Sequence, residues 1–339
     1  MKSACNSKLR VLAGVGLTLL SISCLPAHAA EPVAQPVSVR VKIFRVGGNI
    51  PIFMAIEKGY FARRGITPVL QFTPNSDVLR AELAEGKVDI AHSGVDNAVH
   101  MVEVAKQDAV ILSGGEGGMN ELLVRQEINK LSDMRDRAFV VDAPNTAYAL
   151  IGRKIFKDAG LVSGQDYKLD PVGGTEARTK ALDTPAGAAT MLNPPWSIIA
   201  RDRGAKSLGR TIDLFGPYQA TGMYVMRAWA KNNSALVERY LTAFIEGCRA
   251  AQDPAQKDLV LAVLKREFKL DQRIAELTYA ELMVPGSGLF KDCALDTKGF
   301  RNVLALRAEI EGQWGGKAPE IDQFIDLSYF EKALKQTMP

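Results

Sequence analysis

PIFMAIEKGYFARRGI, residues 51–66, carries a helix start, a helix stop and a strand start in one unbroken run. Asn49 can cap the helix and Pro51 fits its first turn. Ile52, Phe53 and Ile56 supply a buried face, Gly59 suits the left-handed stop position, and Tyr60 and Phe61 can fold back over the last turn. Gly65 then turns the chain into an extended segment over 67–72. With a strand predicted over 39–46, the run forms a βαβ unit. Its Gly47, Gly48 and Asn49 loop lies at the carboxyl end of the first strand, where open α/β sheets bind ligands.

Outward from this unit the same alternation continues. Strands are predicted near 39–46, 67–73, 88–92, 109–113, 121–125, 138–142, 168–172, 188–192 and 222–226, with helices between them, which is the pattern of parallel sheets with crossover helices. From Ser234 the chain turns helical, near 234–252, 255–268, 271–283, 296–313 and 327–336. The about 310 residues that follow Ala29 exceed one ordinary core, so two domains are expected.

At the amino terminus, Lys2, Lys8 and Arg10 precede an apolar run over 11–20 and a small-residue site at Ala27, His28 and Ala29. That reads as a secretory signal peptide over 1–29, cleaved after Ala29. An anchor at Cys24 is disfavoured by Ser21, where an aliphatic residue is usual. Cleavage removes three of the 42 basic residues and none of the 38 acidic ones, leaving a nearly neutral protein with no nucleic-acid footprint. Cys248 and Cys293 remain. An oxidising compartment permits a disulfide between them, while Cys248 also continues the apolar stripe of Leu241, Phe244 and Ile245 and reads equally as core.

Two further stretches match the opening one in kind. LRAELAEGKVDIAHSG, residues 79–94, gives a helix, a glycine turn, a strand and a small-residue loop, and LNPPWSIIARDRGAKSLG, residues 192–209, carries a double proline before a helix. With PIFMAIEKGYFARRGI they resemble the periplasmic solute-binding proteins for sulfonates, taurine, nitrate and thiamine-pyrimidine precursors, over most of 37–250. The resemblance implies a two-lobed α/β fold, the type II periplasmic-binding-protein fold, each lobe a mostly parallel sheet flanked by helices, joined by a two-strand hinge. Lobe one would comprise 37–120 plus 218–339 and lobe two 121–217, with hinge candidates at 122–125 and 215–224. It also implies a monomer that hands a small-molecule solute to an ABC permease with its ATPase, without cofactor or metal.

Loops at strand ends that lead into helix starts expose unpaired backbone N–H groups and the positive end of the helix dipole. The candidates for ligand contact are Gly48, Asn49, Asn75, Ser93, Asp96 and Glu116 from one lobe, and Asn145, Thr146, Tyr148, Thr175, Asn193 and Trp196 from the other. Asn49, Ser76, Asp96 and Asn145 also read as plain helix caps. Tyr148 and Trp196 are the preferred aromatic clamps, Phe72 reads as buried, and Arg45 and Arg178 are the nearest cations for an oxyanion. Glu116, among the four glycines of SGGEGGMNE at 113–121, reads either as an acceptor for an amino group or as a solvated carboxylate. The ligand thus stays open between a sulfonate-like anion and a pyrimidine-like heterocycle.

His92 and His100 lack metal-ligand spacing, and no GxSxG, HExxH, phosphate loop or CxxC occurs. A non-enzymatic binding protein of an importer is therefore the expectation. The competing readings are a thiamine-pyrimidine-synthase-like enzyme on the same fold, whose cysteine-rich motif this chain lacks, and a sensory module that reports to a membrane receptor.

Overall fold

The computed structural model describes residues 35–185 and 187–337; the signal peptide expected over 1–29 lies outside the described residues. The first of two five-stranded sheets holds β1 (Val37–Ile43), β2 (Ile66–Phe72), β3 (Ile90–Gly94), β4 (Ala109–Ser113) and β10 (Thr221–Met226). The second holds β5 (Glu121–Val124), β6 (Arg137–Val141), β7 (Tyr167–Pro171), β8 (Ala189–Leu192) and β9 (Lys206–Arg210). Their orders, β2-β1-β3-β10-β4 and β7-β6-β8-β5-β9, are one layout used twice. In each, a parallel trio is followed by an antiparallel strand from the far side of the crossover and then by the last strand. The result is a two-lobed α/β molecule. The chain passes between the sheets twice, over 114–120 and 216–220.

The opening stretch folds largely as its residues dictate. Pro51 lies in the first turn of helix Ile50–Glu57, Gly59 and Gly65 take φ of 67° and 62°, and Phe61 packs against Tyr240 with ring centroids 4.8 Å apart. Two details differ. Asn49 makes no cap bond; its Nδ2 donates to the Phe44 carbonyl at 2.8 Å and holds the loop in a 3₁₀ turn. Ile56 is 41 % exposed, because helix Ser234–Gln252 covers the opposite face, where Gly247 allows the two backbones to approach.

The later helices fall at Ser234–Gln252, Lys257–Phe268, Gln272–Leu282, Thr297–Glu311 and Ser328–Gln336, close to expectation. Cys248 and Cys293 form a disulfide, pinning helix Ser234–Gln252 to the turn Lys291–Cys293. The hinge candidate at 122–125 needs correction. Residues 122–124 are paired within the second sheet to both β8 and β9, so the linking segment is the preceding run 114–120. Of the second candidate, 215–224, residues 216–220 lie in the other crossing, and from Thr221 the chain is already β10. Among the described residues no helix is long and apolar enough to cross a membrane.

Candidate functional site

Loops that leave the carboxyl ends of strands in the two sheets meet one another. The Gly47 N–H donates to the Pro194 carbonyl at 2.9 Å, the Gly174 N–H to the Pro74 carbonyl at 2.7 Å, and the Trp196 indole N–H to the Arg45 carbonyl at 2.7 Å. Among these loops lies a cavity of about 50 Å³, lined from the first sheet by Phe44, Asn49, Ser76, His92, Ser93, Asp96 and Asn97. From the second sheet come Asp142, Thr146, Tyr148, Thr175, Arg178 and Asn193. One water needs roughly 10–15 Å³ on this measure, so a group of a few heavy atoms fits. Phe44 and Thr175 also wall a larger outer cavity of about 350 Å³, bordered by Arg45, Phe72, Asn75, Val172 and Lys180.

Two carboxylates cross between the sheets in opposite directions. Asp142, which follows β6, accepts from the backbone N–H of Ser76 at 3.2 Å, at the start of helix Ser76–Ala84. Asp96, which follows β3, accepts from the Ala147 N–H at the start of helix Ala147–Asp158 and lies 3.3 Å from the Arg307 guanidinium. Each carboxylate thus meets the positive end of a helix from the other sheet. Burial pushes the Asp96 carboxyl upward from the ordinary range, opposed first by Arg307 and then by Arg80.

Arg178 is 3 % exposed and sits in the first turn of helix Thr175–Leu182. Its terminal nitrogens donate to the Gly173 and Met191 carbonyls and to Thr175 Oγ1 at 3.2–3.3 Å, and its Nε has no partner. Burial lowers its pKa, while Asp142 supports its charge. His92 donates to or accepts from the Tyr240 hydroxyl at 3.1 Å, and burial pushes its pKa down to about 3, so its ring is neutral.

Glu116 occupies the place where the two linking segments touch. The N–H groups of Ala220 and Thr221 donate to its carbonyl, and its own N–H donates to Thr221 Oγ1. Its side chain is fully buried: Oε2 accepts from the Gly118 and Met119 N–H groups at 2.7 and 3.1 Å, and Oε1 has no partner.

The NMT1-like family model matches residues 33–265, more than half of the chain. The chain belongs to that family. No curated protein matches it. Among solved structures, it is similar to the ligand-binding component of an ABC-type import system from Staphylococcus aureus with zinc bound, at 12% identity and TM-score 0.74, over 87% of this chain and 98% of the other. It is similar also to the periplasmic nitrate-binding protein NrtA from Synechocystis PCC 6803, at 14% identity and TM-score 0.73, over 89% of each chain. A third likeness is to the periplasmic aliphatic sulphonate binding protein SsuA from Escherichia coli, at 16% identity and TM-score 0.65, over 87% of this chain and all of the other. At these identities the likeness establishes the periplasmic-binding-protein fold.

Of the twelve candidate positions in this NMT1-like chain, Asn49, Ser93, Asp96, Thr146, Tyr148, Thr175 and Asn193 line the inner cavity. Asn75 caps helix Ser76–Ala84 by accepting from Val78 N–H at 2.8 Å and borders the outer cavity. Four others lie outside the cavity linings. Gly48 gives Glu116 room, since a Cβ there would come within 2.9 Å of the glutamate Cγ. Asn145 faces Arg80 and Arg307, Trp196 spends its N–H on Arg45, and Glu116 belongs to the linking segments. Phe72, expected to be buried, is 39 % exposed, with the Arg45 guanidinium stacked 3.8 Å from its ring centroid. Sequence reasoning missed Asp142 altogether and left Arg178 outside the chosen set.

Proposed function

We propose that this protein is the exported binding component of an ABC importer, with lobe one formed by 37–120 plus 218–339 and lobe two by 121–217, and that it takes a small organic monoanion of the sulfonate class. The single observation that carries the reading is Arg178: a buried guanidinium at a helix start, lining a cavity between the two sheets, with one donor unspent. The starts of helices Ser76–Ala84 and Ala147–Asp158 already hold Asp142 and Asp96, and Asp96 is balanced by Arg307. One seat for negative charge remains, at Thr175 and Arg178, which favours a monoanion over a dianion. Ser93, Asn49 and Asn193 add neutral polar contacts, and the outer cavity beside Phe44 and Phe72 accommodates an organic tail.

The closed lobes hold the solute without transforming it, and a membrane permease with its ATPase receives it. The expected periplasmic location, monomeric state and signal peptide over 1–29 belong to the same reading. The test is a thermal-shift screen of the purified protein with methanesulfonate, taurine, nitrate, benzoate and an aminopyrimidine, since a ligand bound only by the folded state raises the melting temperature. A shift with the sulfonates that vanishes in Arg178→Ala supports the reading. A shift with the aminopyrimidine alone replaces it with the heterocycle reading, and turnover of a bound compound replaces it with an enzyme.

A further inference from the structure

On the first sheet's side, a chain of hydrogen bonds backs the inner cavity, and its direction is fixed at one end. Arg80, buried on helix Ser76–Ala84, donates from Nη1 to Asn97 Oδ1 at 3.0 Å. A guanidinium carries hydrogens and no acceptor, so the Asn97 oxygen must face Arg80 and its NH2 group must face away. On that other side Asn97 Nδ2 donates to Ser76 Oγ and to Ser93 Oγ, each at 3.2 Å. Arg80 is itself held by Asp77, with a further contact of 3.4 Å to Asn145 Oδ1.

Tyr224 closes the chain at its far end. Its hydroxyl is fully buried and lies 2.6 Å from Ser93 Oγ. The other group beside it is the Asn97 amide, which offers it only hydrogens. The phenol hydrogen therefore goes to Ser93 Oγ, since the reverse direction would leave it buried without an acceptor. Ser93 Oγ thus accepts from both Tyr224 and Asn97, and Ser76 Oγ accepts from Asn97. Among the described residues neither serine hydrogen then has a protein acceptor. The Asp142 carboxylate takes the Ser76 backbone N–H and not its hydroxyl. Ser76, Ser93 and Asn97 line the inner cavity that Thr175 and Arg178 wall from the second sheet. Ser76, Arg80, Ser93, Asn97 and Tyr224 all lie on strands of the first sheet or on helices that follow them.

We infer that Asn97 is a positioning residue that sets the polarity of the ligand site. Anchored by Arg80, it occupies lone pairs of Ser76 and Ser93, so that both hydroxyls turn their hydrogens into the inner cavity, toward the oxygens of a bound oxyanion. The identity of that oxyanion rests on the sulfonate reading above; the direction of the hydroxyls does not. A sulfonate head meets hydrogens from both sheets, from the serines on one side and from Arg178 on the other. A group with hydrogens of its own at that end, such as the amine of an aminopyrimidine, meets the Ser93 hydrogen head-on and is disfavoured.

Neutron diffraction from crystals of the deuterated, ligand-free protein reads these directions without any solute. The expected map has the Asn97 deuteriums on the side of the serines and the Ser76 and Ser93 hydroxyl deuteriums aimed into the cavity. An Asn97 oxygen facing the serines, or a Ser93 deuterium aimed at the Tyr224 oxygen, overturns the inference. Calorimetry with methanesulfonate tests the consequence through a double-mutant cycle. Asn97→Asp sets an acceptor against both serines and draws their hydrogens out of the cavity, so affinity is expected to fall roughly tenfold to a hundredfold. Where Ser76→Ala and Ser93→Ala have removed the hydroxyls, the same change is expected to cost roughly tenfold less, because the added charge acts in both backgrounds and cancels from the comparison. Equal losses in the two backgrounds overturn the positioning role. A wild type that takes no methanesulfonate removes the sulfonate reading alone, because the neutron map still decides which way the hydroxyls point.

Discussion

Arg178 shows how a charged residue on a short helix comes to be buried in the wall of a cavity. In sequence it reads as a cation near an oxyanion or as a surface charge, and nothing in TEARTKAL reveals that carbonyls from the preceding loop and from β8 will surround it. Its burial is a product of tertiary structure. On the proposed reading, replacing it by alanine removes a charge-assisted hydrogen bond worth about 1.5–3 kcal/mol, so calorimetry with a sulfonate that binds should read an affinity roughly tenfold to a hundredfold lower. Arg307 belongs to a different category. It is fully buried against Asp96, and its Nη1 also holds the Asn145 carbonyl, so Arg307→Met strands a carboxylate in a dry site. Chemical denaturation is expected to register a loss of about 3–5 kcal/mol, part of it recovered when Asp96→Asn is added. The aromatic clamp reading failed at Trp196 for a related reason: an indole N–H seeks an acceptor, and the nearest is the Arg45 carbonyl across the lobes.

At the level of elements, most of the fold was legible because local signals agreed with one another. Helix Ile50–Glu57 carried its proline start and glycine stop, and the carboxyl-terminal helices carried apolar stripes, two of them with the caps Asp271 and Asp296. Strand β9, KSLGR, escaped notice because it is an edge strand of partly exposed, polar residues without alternation. The first crossing was misplaced by one element, since residues 122–125 look as extended as a linker does, and only the pairing of β5 to β8 and β9 reveals it as sheet. The glycines of 114–117 are better explained by crowding than by mobility. The Gly117 N–H donates to the Ser287 and Gly288 carbonyls, and a Cβ on it would come within 2.7 Å of Phe290 Cζ and fall onto the Gly286 carbonyl oxygen. Gly117→Ala should therefore lower stability by about 1–3 kcal/mol in denaturant titration, as overpacking does.

Across the whole molecule, the repeated layout of the two sheets brings loops of the same kind face to face, so seven of twelve candidate positions could be named from strand ends alone. Asp142 could not, because its contact with the start of helix Ser76–Ala84 depends on how the lobes meet. The disulfide also acts at this scale: Cys248 and Cys293 are separated by 45 residues, and closing such a loop restricts the unfolded chain by about 4 kcal/mol in the chain-entropy treatment. Treating the protein with a thiol reductant under partly denaturing conditions should lower its melting temperature, and Cys248→Ala with Cys293→Ala should reproduce the decrease without reductant.

The clasps between the lobes at Gly47 with Pro194, at Gly174 with Pro74 and at Trp196 with Arg45 all end on main-chain carbonyls, and two of the three also begin on main-chain amides. Such contacts hardly register which side chains decorate the neighbouring positions. Exchanging Thr146, Tyr148 or Arg178 leaves these three contacts in place, so what lines the inner cavity and what fastens the two lobes together rest on separate residues.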